Sequence, residues 1–250
     1  MHVTLLGTGD VTGVPAPFHD LEDAGAAARR RRPGALVETD AATLLFDAPP
    51  DFRDGVRDRG ARTLDATVLT HWHHDHVGGI DGLAMVASTV GDRLYRTPTA
   101  GDRFRREKPY LADAFDERDL SHGDPIEVAD ATVTPIPVAH DRPAFDTLAF
   151  RVETADATLV YAPDFGAWCP ERPGGDAYRG ADLAVLEATS VLAPEVVDAT
   201  GNDPVADAAA DRTVLTHVNE HHLDRTTAGL ERRTADAGYE LGADFDTFEL

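Results

Sequence analysis

The chain has 250 residues, of which 42% are apolar, enough for a substantial buried core. No run of about 18 apolar residues is present to cross a bilayer, and the single cysteine, Cys169, excludes an intrachain disulfide. The formal net charge is -22 with Lys108 as the one lysine, which argues against a broad nucleic-acid surface, since that needs basic patches to displace phosphate counterions.

In chain order, "HVTLLG" (2–7) reads as a first strand that runs into the glycines of "GTGD". The N-terminus lacks the basic start and longer apolar stretch of a signal peptide, so a cytoplasmic location is expected. "RRRR" (29–32) is the one local excess of positive charge, read as a solvated arm that neutralises nearby acids, with lining of the pocket mouth as the alternative. "ALVETDAATLLFDAP" (35–49) reads as a hairpin turning around Asp40, with Asp47 closing the second strand. "ATVLTH" (66–71) is nearly all apolar, as expected of a strand buried on both faces, and "GGIDGLAMVAST" (78–89) has the apolar spacing of one helix face. Five further strands are expected at "ATVTPIPVAH", "TLAFRVE", "ATLVYAPD", "ADLAVLEAT" and "DRTVLTH", with helices at about 202–211 and 224–237. Four of the strands run directly into a residue of metal-binding type: His71, His140, Asp164 and His217. Strands of one sheet end near one another, so such residues can converge on one edge.

Between the fourth strand and its helix, "HWHHDH" places four histidines and one aspartate in six positions, 71–76. Imidazole and carboxylate suit zinc, manganese or iron. Histidines two apart in an extended turn can face one ion, and Asp75 and His76, carried round the turn, can serve a neighbouring one. Two such ions about 3.5–4 Å apart can share a water and lower its pKa towards about 7, so the chemistry is metal-assisted hydrolysis without a serine or cysteine nucleophile.

His71-x-His73-x-Asp75-His76 is similar to the signature of the metallo-β-lactamase superfamily of metal-dependent hydrolases. The resemblance extends along nearly the whole chain and implies a single domain over 1–250. Its fold would be the α/β four-layer αβ/βα sandwich, two facing mixed sheets with helices outside. By that match Asp47 supports the metal loop, His71, His73 and His140 hold one ion, Asp75, His76 and His217 hold the other, and Asp164 bridges them; Asp75 and Asp164 are also the catalytic carboxylates. His2, His19, His74 and His122 fit no slot, and Cys169 is read as a small loop side chain.

"LLGTGDVTGVP" resembles the opening of a phosphodiesterase branch, the phosphoribosyl cyclic phosphate phosphodiesterases and tRNA 3′-processing endonucleases. Its glycines would let backbone amides approach a phosphate. Only 23 residues separate His140 from Asp164, which leaves no room for the substrate-gripping arm of the tRNA endonucleases. "GVP" is followed by no cysteine pair, so no third, structural metal is expected, and no histidine lies between Asp164 and His217 to serve as general acid. His221 and His222 are the alternatives for that role, and Arg142 is a candidate phosphate contact, with a salt bridge as its other reading.

The resulting expectation is a cytoplasmic hydrolase using two divalent ions, zinc or manganese, on a small, cyclic-ribosyl-type phosphodiester. Hydrolysis of a lactone or thioester, tRNA processing and a non-catalytic metal-bound sensor are the alternatives. A homodimer is compatible with the resemblance; nucleic acid and membrane partners are not expected. The dense carboxylates and near-absence of lysine resemble cytoplasmic proteins of salt-accumulating halophiles, in which salt screens self-repulsion.

Overall fold

The computed structural model describes residues 1–18, 29–140, 146–192, 204–219 and 227–250. One sheet contains β1 (His2–Gly7), β2 (Gly34–Glu38), β3 (Thr43–Phe46), β4 (Ala66–Val68), β5 (Arg93–Arg96), β6 (Asp116–Asp119) and β15 (Thr247–Glu249), in the order β15-β1-β2-β3-β4-β5-β6. It is antiparallel from β15 to β3 and parallel from β3 to β6. The second sheet contains β7 (Ile126–Val128), β8 (Ala131–Ala139), β9 (Thr147–Glu153), β10 (Thr158–Ala162), β11 (Ala167–Trp168), β12 (Leu183–Glu187), β13 (Arg212–Thr216) and β14 (Glu240–Leu241). Its path is β11-β8-β9-β10-β12-β13-β14, with β7 also paired to β8, and it is parallel from β10 to β14.

Alternation along the strands builds the layers. Val37, Leu44, Phe46, Leu148, Phe150, Leu159, Tyr161, Leu183 and Val185 form one apolar cluster between the two sheets. Their strand neighbours point the other way. Leu36 and Leu45 join Trp72, Ile80, Leu83 and Phe104 beneath the helices of one side, while Ala149, Val160, Ala184 and Leu186 join Trp168, Tyr178, Leu192 and Leu230 on the other. A period-two strand buried on both faces can only do this with a helical layer on each side. The architecture is therefore the expected four-layer sandwich.

The hairpin and the later strands form where the sequence places them. The stretch 78–89 does not form one helix: after α1 (Phe52–Arg59) come α2 (His74–Val77), α3 (Ile80–Ala84) and α4 (Ala87–Val90). The apolar spacing fixes the buried face, with Ile80, Leu83 and Ala87 inward, but the backbone tightens at Val86, whose N–H reaches back to Leu83 O at 3.0 Å. The helix expected at 202–211 is the four-residue α7 (Pro204–Asp207), which follows α6 (Thr189–Leu192) and is stopped by Ala209 at φ 47°. That expected at 224–237 appears as α8 (Thr227–Asp236). An additional helix, α5 (Pro98–Glu107), is started by Thr97, whose hydroxyl accepts from Ala100 N, with Pro98 in its first turn. Among the described residues no helix is long and apolar enough to cross a membrane.

Candidate metal centre

The sequence between β4 and α3 is a tight loop wrapped around buried histidines. His71 is fully buried; His73 sits in extended conformation before α2; Asp75 and His76 are buried on α2. The loop is clamped against the exit of β3, because Ala48 N donates to His76 O at 2.7 Å and Gly79 N donates to Ala48 O at 2.8 Å. Such closeness requires glycine: a Cβ on Gly79 would lie 2.4 Å from Pro49 O, and one on Gly78 2.7 Å from His74 O.

Strand ends from both sheets bring the other predicted residues to this loop. His71, His73, His140 and Asp164 form one cluster and Asp75, His76, His217 and Asp164 another, the ligand atoms within each lying within 4.8 Å of one another. Asp164 Oδ2 is shared: it stands 3.1 Å from His140 Nε2, 3.5 Å from His71 Nε2 and 3.6 Å from both His76 Nε2 and His217 Nε2. His73 turns Nδ1 to the first cluster, 2.8 Å from His71 Nε2 and 3.3 Å from His140 Nε2. Asp75 Oδ2 is 3.4 Å from Nε2 of both His76 and His217.

These separations fit divalent ions. Ligands held at about 2.0–2.2 Å around a tetrahedral ion lie about 3.4 Å apart. His76 Nε2 is buried and has no hydrogen-bond partner among the described residues, a costly state for an imidazole nitrogen unless a ligand takes its lone pair. The donor set, nitrogen and carboxylate oxygen without sulfur, is one that divalent first-row ions accept.

A hydrogen-bonded floor fixes the rings. Asp47, fully buried at φ 61°, accepts from His76 Nδ1 at 2.8 Å and from Thr70 N at 2.8 Å. The Thr70 hydroxyl lies 2.9 Å from Asp47 Oδ2 and 3.0 Å from His71 Nδ1. If Thr70 donates to the carboxylate, it accepts from His71 Nδ1–H, so both rings present unprotonated Nε2 to the centre.

The electrostatics are polarised between the ligands. Burial, aided by the neighbouring His76, drives the His71 imidazole down to about 3. Burial also opposes charge on His217, but Asp164 and the hydrogen bond to Asp75 hold it up at about 9. Against the same penalty, Asp47 raises His76 and Asp164 raises His140. Burial would lift the two carboxyls, yet His217 and His76 hold Asp75 well below the usual range, and His217 and His140 do the same for Asp164.

Thr70 has no counterpart in the sequence reading, and neither does a further contributor, Glu187. Glu187 ends β12, between the strands bearing Asp164 and His217, and is half-buried. Its Oε2 accepts from Phe165 N at 2.8 Å and its Oε1 from Thr189 Oγ1 at 2.6 Å, which pins the turn after Asp164. A charged residue at the same strand-end position as the ligands was the available signal. Arg142, His221, His222 and His19 lie outside the described residues. His74 is exposed and His2 lies 3.9 Å from Glu249, so neither joins the centre, and Cys169 is buried. The arginine run does neutralise nearby acids, Arg31 pairing with Asp244 and Arg32 with Asp51, but it is not a solvated arm throughout: Arg29 is exposed while Arg30 is buried.

The family profile described as a beta-lactamase superfamily domain matches residues 42–218. An octanoyltransferase from Porphyromonas gingivalis is 34% identical over 159 residues, 57% of this chain and 31% of that protein. A ribonuclease Z from Methanopyrus kandleri is 31% identical over 129 residues, 50% of this chain and 45% of that protein. The chain thus spans less than half the length of either relative. A solved diphosphatase of the PhnP family superposes with a TM-score of 0.76 at 24% identity, covering 100% of this chain and 98% of that one, a likeness of fold.

Proposed function

The chain belongs to the metallo-β-lactamase superfamily, and we infer that the paired clusters are the active site of a dinuclear metal-dependent hydrolase acting on a small phosphodiester. The observation that carries this reading is the sharing of Asp164 Oδ2 between the clusters. His71, His73 and His140 would hold one ion, Asp75, His76 and His217 the other, and Asp164 both. Divalent ions bound there supply Lewis acidity towards a phosphoryl oxygen and acidify water near neutral pH.

The chain's own groups do the rest. Asp47 and Thr70 keep the His76 and His71 rings turned to the centre. Asp75, held ionised by His217 and His76, is the catalytic carboxylate assigned to accept a hydrogen bond from the attacking water and orient it. His221 and His222 are the candidates for protonating the leaving alkoxide, and Arg142 for contacting the phosphate. Two features support a small phosphodiester. "GTGD" lies against the residue after His217, with Val218 N donating to Thr8 O at 2.8 Å, where small residues allow close approach of an anion. Between His140 and Asp164 the described residues are taken up by β9, β10 and their turn, with no inserted arm among them, which favours a small substrate over a large RNA.

Turnover of a chromogenic phosphodiester, beside a lactone and a thioester, tests the reading on metal-free protein and after addition of zinc or manganese. Metal-dependent cleavage of the phosphodiester alone is expected. Cleavage of only the lactone or thioester overturns the substrate assignment, and a protein that binds two ions but cleaves none of the three overturns the assignment to this substrate class.

A further inference from the structure

His217 is the one ligand with a left-handed backbone, at φ 57°, a region a non-glycine residue occupies only when its surroundings hold it there. What holds it comes from the opposite sheet. Val218 N donates to Thr8 O at 2.8 Å and Asp10 N donates to Val218 O at 3.2 Å, a parallel bridge that ties the "GTGD" turn to the residue after the ligand.

Thr8 is in turn held by a single carboxylate. Asp244 Oδ1 accepts from Thr8 N at 3.0 Å and from the Thr8 hydroxyl at 2.9 Å, and its Oδ2 accepts from Arg31 N at 2.8 Å. The hydroxyl has one hydrogen, given to Asp244, and its lone pair accepts from the buried Arg30 Nη1 at 2.8 Å; Arg30 Nη1 also donates to Gly242 O. The Asp244 side chain is only 7% exposed, and it lies in the segment joining β14 of one sheet to β15 of the other. All the groups facing its two oxygens are donors, a demand that a carboxylate meets and a carboxamide cannot.

Resting on the dinuclear reading above, we propose that Asp244 is a positioning residue: through Thr8 and Val218 it sets His217 and so tunes the ion held by Asp75, His76 and His217. It touches neither ion nor substrate. Asp244→Asn turns an amide N–H2 towards Thr8 or Arg31 donors, loosens the turn, and lets His217 relax from its left-handed backbone. The other ion, on His71, His73 and His140, has no link through Thr8 and keeps its affinity.

The test titrates the full, metal-free chain with cobalt(II), following the ligand-field bands, and compares wild type with Asp244→Asn, Thr8→Val, Thr8→Ser and His217→Ala. Asp244→Asn is expected to weaken one ion by up to about 10-fold, the lower end of the range for losing a ligand's direct partner, because Asp244 acts through Thr8 and Val218. That ion should be the one lost in His217→Ala. Thr8→Val should show a smaller loss of the same ion, and Thr8→Ser, which keeps the hydroxyl, should match wild type. Thr8→Val keeps the proposal testable if Asp244→Asn fails to fold. Wild-type binding of both ions by Asp244→Asn and Thr8→Val would overturn the proposal. So would equal weakening of both ions in step with a fall in metal-free Tm. Fewer than two ions in the wild type, or a His217→Ala that binds like wild type, would instead overturn the dinuclear reading and the proposal with it.

Discussion

Asp47 Oδ2 and His76 Nδ1 meet at 2.8 Å with both side chains fully buried, so the opposite nitrogen of the same ring is delivered to Asp75 and Asp164 at 3.4 and 3.6 Å. The pair converts a strand-end carboxylate that reaches no ion into control over one that does. Asp47→Ala should lower metal affinity by about 10–100-fold, because the ring loses both its tautomer and its orientation. Chelator competition on the metal-free chain measures this. Affinity equal to wild type would mean that the loop holds His76 unaided.

Asp164 is placed differently, with its oxygen in both clusters. Asp164→Asn preserves the shape but removes the charge, so each ion keeps its remaining protein ligands. Some metal should stay bound while kcat falls by at least about 100-fold, beyond the usual loss for an outer-shell partner. Metal analysis and steady-state kinetics on one preparation separate the two effects. Wild-type turnover would remove Asp164 from the reacting centre.

Protonation gives a third expectation. In the metal-free chain His217 is raised to about 9 by Asp164 and Asp75, working against its burial. A histidine raised on folding contributes stability that is fully present below its unfolded pKa, about 6.5, and is lost as pH rises through about 9. The ion competes for the same nitrogen, so binding must expel a proton and affinity should climb with pH up to about 9. Calorimetry at pH 7 in buffers of different ionisation enthalpy should report net proton release. An exchange of zero protons would contradict the protonated state of His217.

The two clusters were partly legible because three of their residues follow apolar strands that have parallel neighbours: His71 after β4, Asp164 after β10 and His217 after β13. The supporting groups were not. Thr70, Glu187 and Asp244 act on Asp47, Phe165 N and Thr8, partners set by the packing of the sheets rather than by any local spacing. The arginine run misled for a related reason: charge suggested solvent, while the turn after β1 needed donors underneath it, and Arg30 supplies them from a buried position. β6, "DERD", carries no strand signature because it is an edge strand on which Asp116, Arg118 and Asp119 face solvent, the feature that discourages edge pairing with other chains, while Glu117 turns in to pair with Arg96.

The surface charge carries the last expectation. With 45 acidic against 23 basic side chains, the net charge of -22 makes long-range repulsion the dominant surface term at low salt. Salt also screens attractions, such as Arg32 with Asp51 at 2.9 Å and Arg212 with Glu240 at 2.6 Å. Partly exposed pairs of this kind are each worth only about 0–1 kcal/mol, and excess acids have no cation to pair with. Screening should therefore stabilise on balance as the Debye length shrinks from about 10 Å at 0.1 M to about 3 Å at 1 M. Tm should rise by several degrees between dilute buffer and molar potassium chloride, since about 1 kcal/mol moves a chain of this size by roughly 2–4 °C. Melts of the metal-free chain across that range check it without interference from metal binding. A flat or falling Tm would show that the carboxylates are spaced widely enough to tolerate one another and would remove the basis for a halophilic reading of the composition.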